Sequence, residues 1–204
     1  LAGRRQPALF NGVAAGYSLH LLQDLFLQDS GLRDPVALAL AEAIRGGAMP
    51  ALEALITAGN HFRELGITEL AKAIGTGSVP CLKTLDFSES HPGSGGVQAV
   101  AAALLNGATP ALTELNLETT KISEEGLRAL ADAIRAGSVP ALRLLLLHYN
   151  RLRDGVIPIL EAMATGATPR LECIGLAETR VGDDGARAIA SAVSKGGMRS
   201  MKQL

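Results

Sequence analysis

The sequence has no tryptophan, and aromatic residues make up only 3% of its 204 positions. A core assembled around a few large rings is therefore excluded, and the 48% of hydrophobic residues must pack as many small aliphatic layers. Cysteine is scarce as well. Cys81 and Cys173 are the only two, too few for a disulfide framework, so an intracellular location, cytoplasmic or organellar, is expected. No run of about 18 apolar residues occurs, so no membrane insertion is expected. Excess charge of either sign is missing: 19 Lys and Arg face 20 Asp and Glu, for a net charge of −1. Such a balance gives no overall pull toward nucleic acid. No signal-peptide pattern opens the chain, and because its first residue is Leu1 rather than Met, the N-terminus is expected to be processed, cut or left out.

What the sequence has is a beat. Prolines fall at Pro50, Pro80, Pro110 and Pro140, thirty residues apart, and then at Pro169 after twenty-nine. Each is followed by the same apolar frame: Leu52 and Leu55, Leu82 and Leu85, Leu112 and Leu115, Leu142 and Leu145, Leu171 and Ile174. Leu22 and Leu25 give a sixth copy without its proline. A third apolar column follows at Leu27, Phe87, Leu117, Leu147 and Leu176, broken only by Thr57. Internal repetition at such a period indicates a stacked array. The second half of each unit carries a helical stripe at i, i+3, i+4, i+7: Ile67, Leu70, Ala71, Ile74 in one unit and Val97, Val100, Ala101, Leu104 in the next. The stripe recurs at Leu127, Leu130, Ala131, Ile134 and at Ala186, Ile189, Ala190, Val193. Gly77, Gly107, Gly137 and Gly196 follow, where helices end on a left-handed residue. The residue missing between Pro140 and Pro169 is placed near Arg153 and Asp154. That shift leaves Val156, Ile159, Leu160 and Met163 facing inward and Pro158 in the first helical turn.

The frame L-x-x-L-x-L followed by G-x-x-A-L-A-x-A-I, clearest over Leu112 to Ile134 and Leu171 to Val193, resembles the ribonuclease-inhibitor type of leucine-rich repeat. That type is found in NOD-like receptor arrays and in the Ran GTPase-activating protein. The resemblance implies an α/β right-handed solenoid, a horseshoe with parallel strands on its concave face and helices on its convex face. It covers about residues 19–204: a single array over 1–204, with 1–21 the tail of a preceding repeat. Six repeats fill 22–200, and 201–204 start a seventh. Ala8, Leu9 and Phe10 would be the apolar remnant of the preceding helix, and Met201 and Leu204 the first strand positions of the next unit. With no polar cap at either end, the chain is expected to be a section of a longer array or to be capped by a partner. The asparagine-ladder position of the family holds Ser30, Asn60, Ser90, Thr120, Asn150 and Thr179. A hydroxyl satisfies fewer backbone groups than an amide, so a less rigid turn is expected at Ser90, beside the glycine-rich loop His91 to Gly96.

Four outward positions per unit should line the concave face, alternating with the inward leucines. Unit by unit they are Asp24, Phe26, Gln28, Asp29; Ala54, Ile56, Ala58, Gly59; Thr84, Asp86, Ser88, Glu89; Glu114, Asn116, Glu118, Thr119; Leu144, Leu146, His148, Tyr149; and Cys173, Gly175, Ala177, Glu178. Seven of these 24 residues are acidic and none is Lys or Arg, where chance would give about two of each sign. Leu144, Leu146 and Tyr149 should form an apolar knob among them, a composition that suits a binding hot spot. Arg33, Arg63, Lys121, Arg151, Arg153 and Arg180 gather on one rim, in the loops that lead to the helices.

Chemistry finds little support. His20, His61, His91 and His148 fall in different units without metal-ligand spacing. His148 and Cys173 lie on adjacent strands, but two ligands make no zinc site. Gly93 to Gly96 lacks the Lys-Ser/Thr of a phosphate loop. Cys81 and Cys173 sit three strands apart, roughly 15 Å, too far for a disulfide. The expectation is a non-catalytic interaction scaffold with no metal or cofactor, binding a protein partner that carries a basic patch. Its binding residues would be Asp24, Phe26, Asp29, Asp86, Glu89, Glu114, Glu118, Leu144, Leu146, His148, Tyr149 and Glu178. A Ran-type GTPase-activating regulator and an architectural subunit of a large complex are the alternatives.

Overall fold

The computed structural model describes residues 18–204. Six three-residue strands alternate with six helices. The strands are β1 (Asp24–Phe26), β2 (Ala54–Ile56), β3 (Thr84–Asp86), β4 (Glu114–Asn116), β5 (Leu144–Leu146) and β6 (Cys173–Gly175). The helices are α1 (Asp34–Arg45), α2 (Glu64–Ile74), α3 (Gly93–Leu105), α4 (Glu124–Arg135), α5 (Ile157–Ala164) and α6 (Asp183–Ser194). All six strands join one parallel sheet in sequence order, and among the described helices each packs against the helices before and after it. The pairing register follows the repeat: Leu25 opposes Leu55, which opposes Leu85, Leu115, Leu145 and Ile174 in turn. The fold is thus an α/β leucine-rich-repeat solenoid. Its strands stack about 4.8 Å apart while packed helices need about 8–10 Å. One strand and one helix per unit force the stack to bend with the strands on the inside.

Each column of the repeat has a structural cause. The prolines sit second in a tight turn closed by Leu52 N–H to Met49 O, Leu82 to Val79, Leu112 to Thr109, Leu142 to Val139 and Leu171 to Thr168, at 3.1–3.2 Å. Proline's fixed φ suits that position. The turn delivers the first leucine of the frame into the core: Leu52, Leu82 and Leu112 are fully buried. Each such side chain contributes roughly 1.5–3 kcal/mol by leaving water, but only because the neighbouring unit closes over it. Thr57, which breaks the third column, is fully buried too. Its hydroxyl escapes the usual penalty by donating to Asp86 O at 3.0 Å.

The missing residue in the fifth unit is absorbed by a 3₁₀ turn over Arg153–Val156 that runs straight into α5, with Pro158 in its first turn. Val156, Ile159, Leu160 and Met163 are all buried, as the shifted register requires. The last helix departs from expectation. Val193 is 58% exposed, and Ala186 and Ala190 are exposed as well, because the stripe is covered only where a further unit stacks on it. The next strand has nonetheless begun. Lys202 and Gln203 donate to Glu172 O at 2.7 and 3.1 Å, Gln203 pairs with Cys173, and Leu204 is left exposed. Ala8, Leu9 and Phe10 lie outside the described residues.

The glycine-rich stretch from Gly93 is not a loop but the first turn of α3. The side chain of Glu64 from the preceding unit lies across it, where a Cβ at Gly93 or Gly95 would meet the carboxylate. The same cross-unit contact recurs where Asp34 accepts from Arg63 N–H at 2.8 Å and Asp154 from Gly185 N–H at 3.3 Å. Helix N-termini attract carboxylates, so acids stand on this rim together with Arg33, Arg63, Lys121, Arg151, Arg153 and Arg180. Asp34, Glu64, Glu124, Asp154 and Asp183 open the same helical turns.

Candidate protein-binding surface

The outward side of the sheet is built in rows, because equivalent residues of successive units oppose one another. One row runs Asp24, Ala54, Thr84, Glu114, Leu144, Cys173; the next runs Phe26, Ile56, Asp86, Asn116, Leu146, Gly175. Only these two rows are strand residues. The expected fourth position is a turn instead. Asp29, Glu89, Thr119, Tyr149 and Glu178 all have φ between 53° and 57°, left-handed backbone that non-glycine residues adopt at a cost. Strand alternation therefore does not aim these side chains. They stand at the end of each strand, and all five are exposed.

The turn that carries them is held by the ladder residue beneath. Asn60 and Asn150 are each 1% exposed. Asn150 Nδ2 donates to Leu117 O, Leu147 O and His148 O at 2.8, 3.0 and 3.2 Å, and its Oδ1 accepts from Thr120 and Ile122 N–H at 3.1 and 3.3 Å. Asn60 repeats the pattern between the first two units. Thr120 and Thr179 manage a single bond within their own unit, to Leu117 O and Leu176 O. Ser90 Oγ is buried without a partner among the described residues, so its turn has the weakest anchorage of the series.

The acidic residues are left unneutralised. None of Asp24, Asp29, Asp86, Glu89, Glu114, Glu118 or Glu178 forms an ion pair with a described cation. Asp86 and Glu114 occupy neighbouring strands. Burial, and secondarily the Asp86 charge, push the Glu114 carboxyl above its ordinary value. Asn116 bridges the pair of strands, donating to Asp86 Oδ2 at 3.1 Å while its Oδ1 accepts from Glu118 N–H at 3.0 Å.

A charge ladder runs beside this surface, one residue before each strand. Lys83 pairs with Glu53 at 2.7 Å, and Glu172 is shared by Arg143 at 2.9 Å and Lys202 at 3.0 Å. The Arg143 and Lys202 hydrogen bonds hold the Glu172 carboxyl down at about 2. Sequence reasoning passed over this column, although Glu53, Lys83, Arg143 and Glu172 at one register position were its signal. Its cations are engaged with each other's carboxylates and so do not cancel the acids on the strands.

The fifth unit is not the protruding knob expected. Leu144 and Leu146 are half-buried because Glu114, Asn116, Cys173 and Gly175 flank them in their rows. They form a floor, from which Tyr149, 59% exposed, stands up alone. His148 is engaged: its Nδ1 accepts from Ala177 N–H at 3.0 Å. The ring lies against Gly175, where a Cβ would collide with it. A second apolar area, at the other end, joins Phe26, 58% exposed, to its row neighbour Ile56. The signal for it was in the sequence, since Phe26, Ala54 and Ile56 share one pair of units.

Among the described residues no group of three or more His, Cys, Asp or Glu could hold a metal ion. Cys81 and Cys173 are both free thiols, and among the described residues no helix is long and apolar enough to cross a membrane. In comparison with known proteins, a family model described as Leucine Rich repeat matches residues 110–131. These include the β4 frame and the beginning of α4. No curated protein matches the chain. Repeats of this kind serve as protein-interaction modules.

Proposed function

We propose that the chain is a non-catalytic interaction scaffold that holds a protein partner with a basic patch against the outward side of its sheet. The observation that carries this reading is the set of seven carboxylates on that side, free of ion pairs with described cations while the adjacent ladder is paired. Unscreened charge of one sign in a concavity focuses the field and steers an oppositely charged partner. A rigid, pre-ordered surface also lowers the ordering cost of association. The binding residues in this reading are Asp24, Phe26, Asp29, Asp86, Glu89, Glu114, Glu118, Leu144, Leu146, His148, Tyr149 and Glu178. A reducing, intracellular setting fits the two free thiols. Kinship to the ribonuclease-inhibitor type is supported by helices of 11 to 13 residues in five of the six units.

The test is a comparative capture from the source cells, using the wild-type chain and a triple variant Asp86→Asn, Glu114→Gln, Glu118→Gln. Proteins retained by the wild type should be released both by the variant and by raising salt to about 0.5 M. Identical sets from both chains at both salts would defeat the reading.

A further inference from the structure

Resting on the reading of the strand side as a binding surface, the arrangement of its rows goes further, to the shape and chemistry of what it holds. The surface is banded. Units one and two are apolar at Phe26, Ala54 and Ile56; units three and four are acidic at Asp86, Glu114 and Glu118; unit five returns to apolar at Leu144, Leu146 and Tyr149. Further acids flank the two apolar bands, Asp24 and Asp29 at one end and Glu178 at the other. The solenoid does not need this order, because all these side chains point away from the leucine columns that stack the units.

The backbone of the sheet offers the occupant nothing. Every inner strand is already paired on both edges, so a partner cannot add a strand and must be read through side chains. Two of the larger neutral polar groups are committed as well, Asn116 to Asp86 and the Glu118 N–H, His148 to the Ala177 N–H. An extended segment crossing the strands would bury peptide carbonyls over carboxylates, which accept but cannot donate. A helix satisfies them internally.

We infer that the strand side takes an amphipathic helix lying crosswise over the units, with apolar side chains at both ends of one face and Lys or Arg between them. From the Phe26–Ile56 band to β5 is three to four strand spacings, about 14–19 Å. At about 1.5 Å per residue, the two apolar anchors of the helix are separated by about 10–13 residues. The basic residues between them meet Asp86, Glu114 and Glu118.

The experiment pans a displayed library of random peptides, about 20 residues long, on the whole chain. Enriched peptides are then titrated by fluorescence anisotropy against wild type, Phe26→Ser, Tyr149→Ser and the pair Glu114→Gln, Glu118→Gln. Both aromatic side chains are more than half exposed, so the single variants keep the fold, which circular dichroism verifies. The expected peptides are apolar, basic, apolar at the stated separation, and each variant weakens them at least tenfold. Peptides that respond to the acidic pair and to Tyr149→Ser but are indifferent to Phe26→Ser would overturn the two-anchor inference and leave the binding surface standing. Peptides indifferent to every substitution would overturn both. Failure to enrich any peptide, or enrichment without the apolar–basic–apolar order, also overturns the inference.

Discussion

Replacing Asn150 by Ala tests whether the buried amide, rather than leucine stacking alone, fixes the turn that presents Tyr149. In the wild type the Thr120 and Ile122 N–H groups have Asn150 Oδ1 as their acceptor. Removing it leaves both donors in a site that is only 1% exposed at Asn150 itself. At about 1–3 kcal/mol per orphaned group, the loss is about 2–6 kcal/mol. Two of the three carbonyls suffer less, because Leu117 O still accepts from the Thr120 hydroxyl and His148 O from the Thr119 N–H. Thr120→Ala is the control. It removes one bond, to a carbonyl that Asn150 still serves, and should cost about 1 kcal/mol. For a chain of this size the Asn150 change lowers the thermal midpoint by roughly 4–24 °C. Urea unfolding followed by far-UV circular dichroism compares the two variants, and amide exchange should show protection lost first at Thr120 and Ile122. Midpoints for the two variants that agree within about 0.5 kcal/mol would refute the reasoning.

Glu114→Gln should stabilise the protein near neutral pH. Burial and Asp86 raise the carboxyl's folded pKa, so the folded state holds that proton longer than the unfolded chain, and stability falls as pH climbs from the ordinary glutamate value through the raised one. The variant's thermal midpoint should exceed the wild type's at pH 7 and match it near pH 4; equal midpoints at both would contradict the assignment. Glu172 has the opposite sign. Its carboxyl is held at about 2, so its contribution is complete above the ordinary value and disappears as pH falls toward 2. Glu172→Gln should therefore flatten the acid limb of a stability-versus-pH curve, by a small amount because Arg143 and Lys202 are exposed. Gly197→Ala should cost about 2–4 kcal/mol, since a Cβ there runs into the Ala164 backbone. A midpoint within 1 °C of wild type would show that the last two helices do not pack as described.

Nearly all of the fold was legible in the sequence, because a stacked array repeats its instructions. Prolines that start turns, leucines that fill the core and glycines after helices each recur at one spacing, and the deletion near Arg153 was located by the column that it interrupts. What was not legible came from contacts between units. The Glu64 carboxylate lies across the next helix, so Gly93 to Gly96 read as a loop when it is a first turn. The stripe Ala186, Ala190, Val193 carries the same pattern as its buried counterparts, and only the absence of a covering unit makes it exposed. Left-handed backbone at Asp29, Glu89, Thr119, Tyr149 and Glu178 was hidden for another reason. Only Gly59 among the six equivalent positions is a glycine, the residue by which such a turn is normally recognised.

The division between what stacks and what faces outward explains why the surface carries information about a partner. Leu55, Leu85, Leu115 and Leu145 are fixed in kind because each fills the same gap between identical neighbours; a change there costs several kcal/mol. Ile56, Asp86, Asn116 and Leu146 sit one residue later, in the same register, and stacking places almost no demand on them. Their identities run from apolar to acidic to amide to apolar across four adjacent units with one backbone. Placing like-signed carboxylates on neighbouring strands, as at Asp86 and Glu114, costs stability that Thr or Gln at either position would recover. A sequence free to relieve that repulsion retains it between two apolar bands, which is what the proposed partner with a basic patch requires.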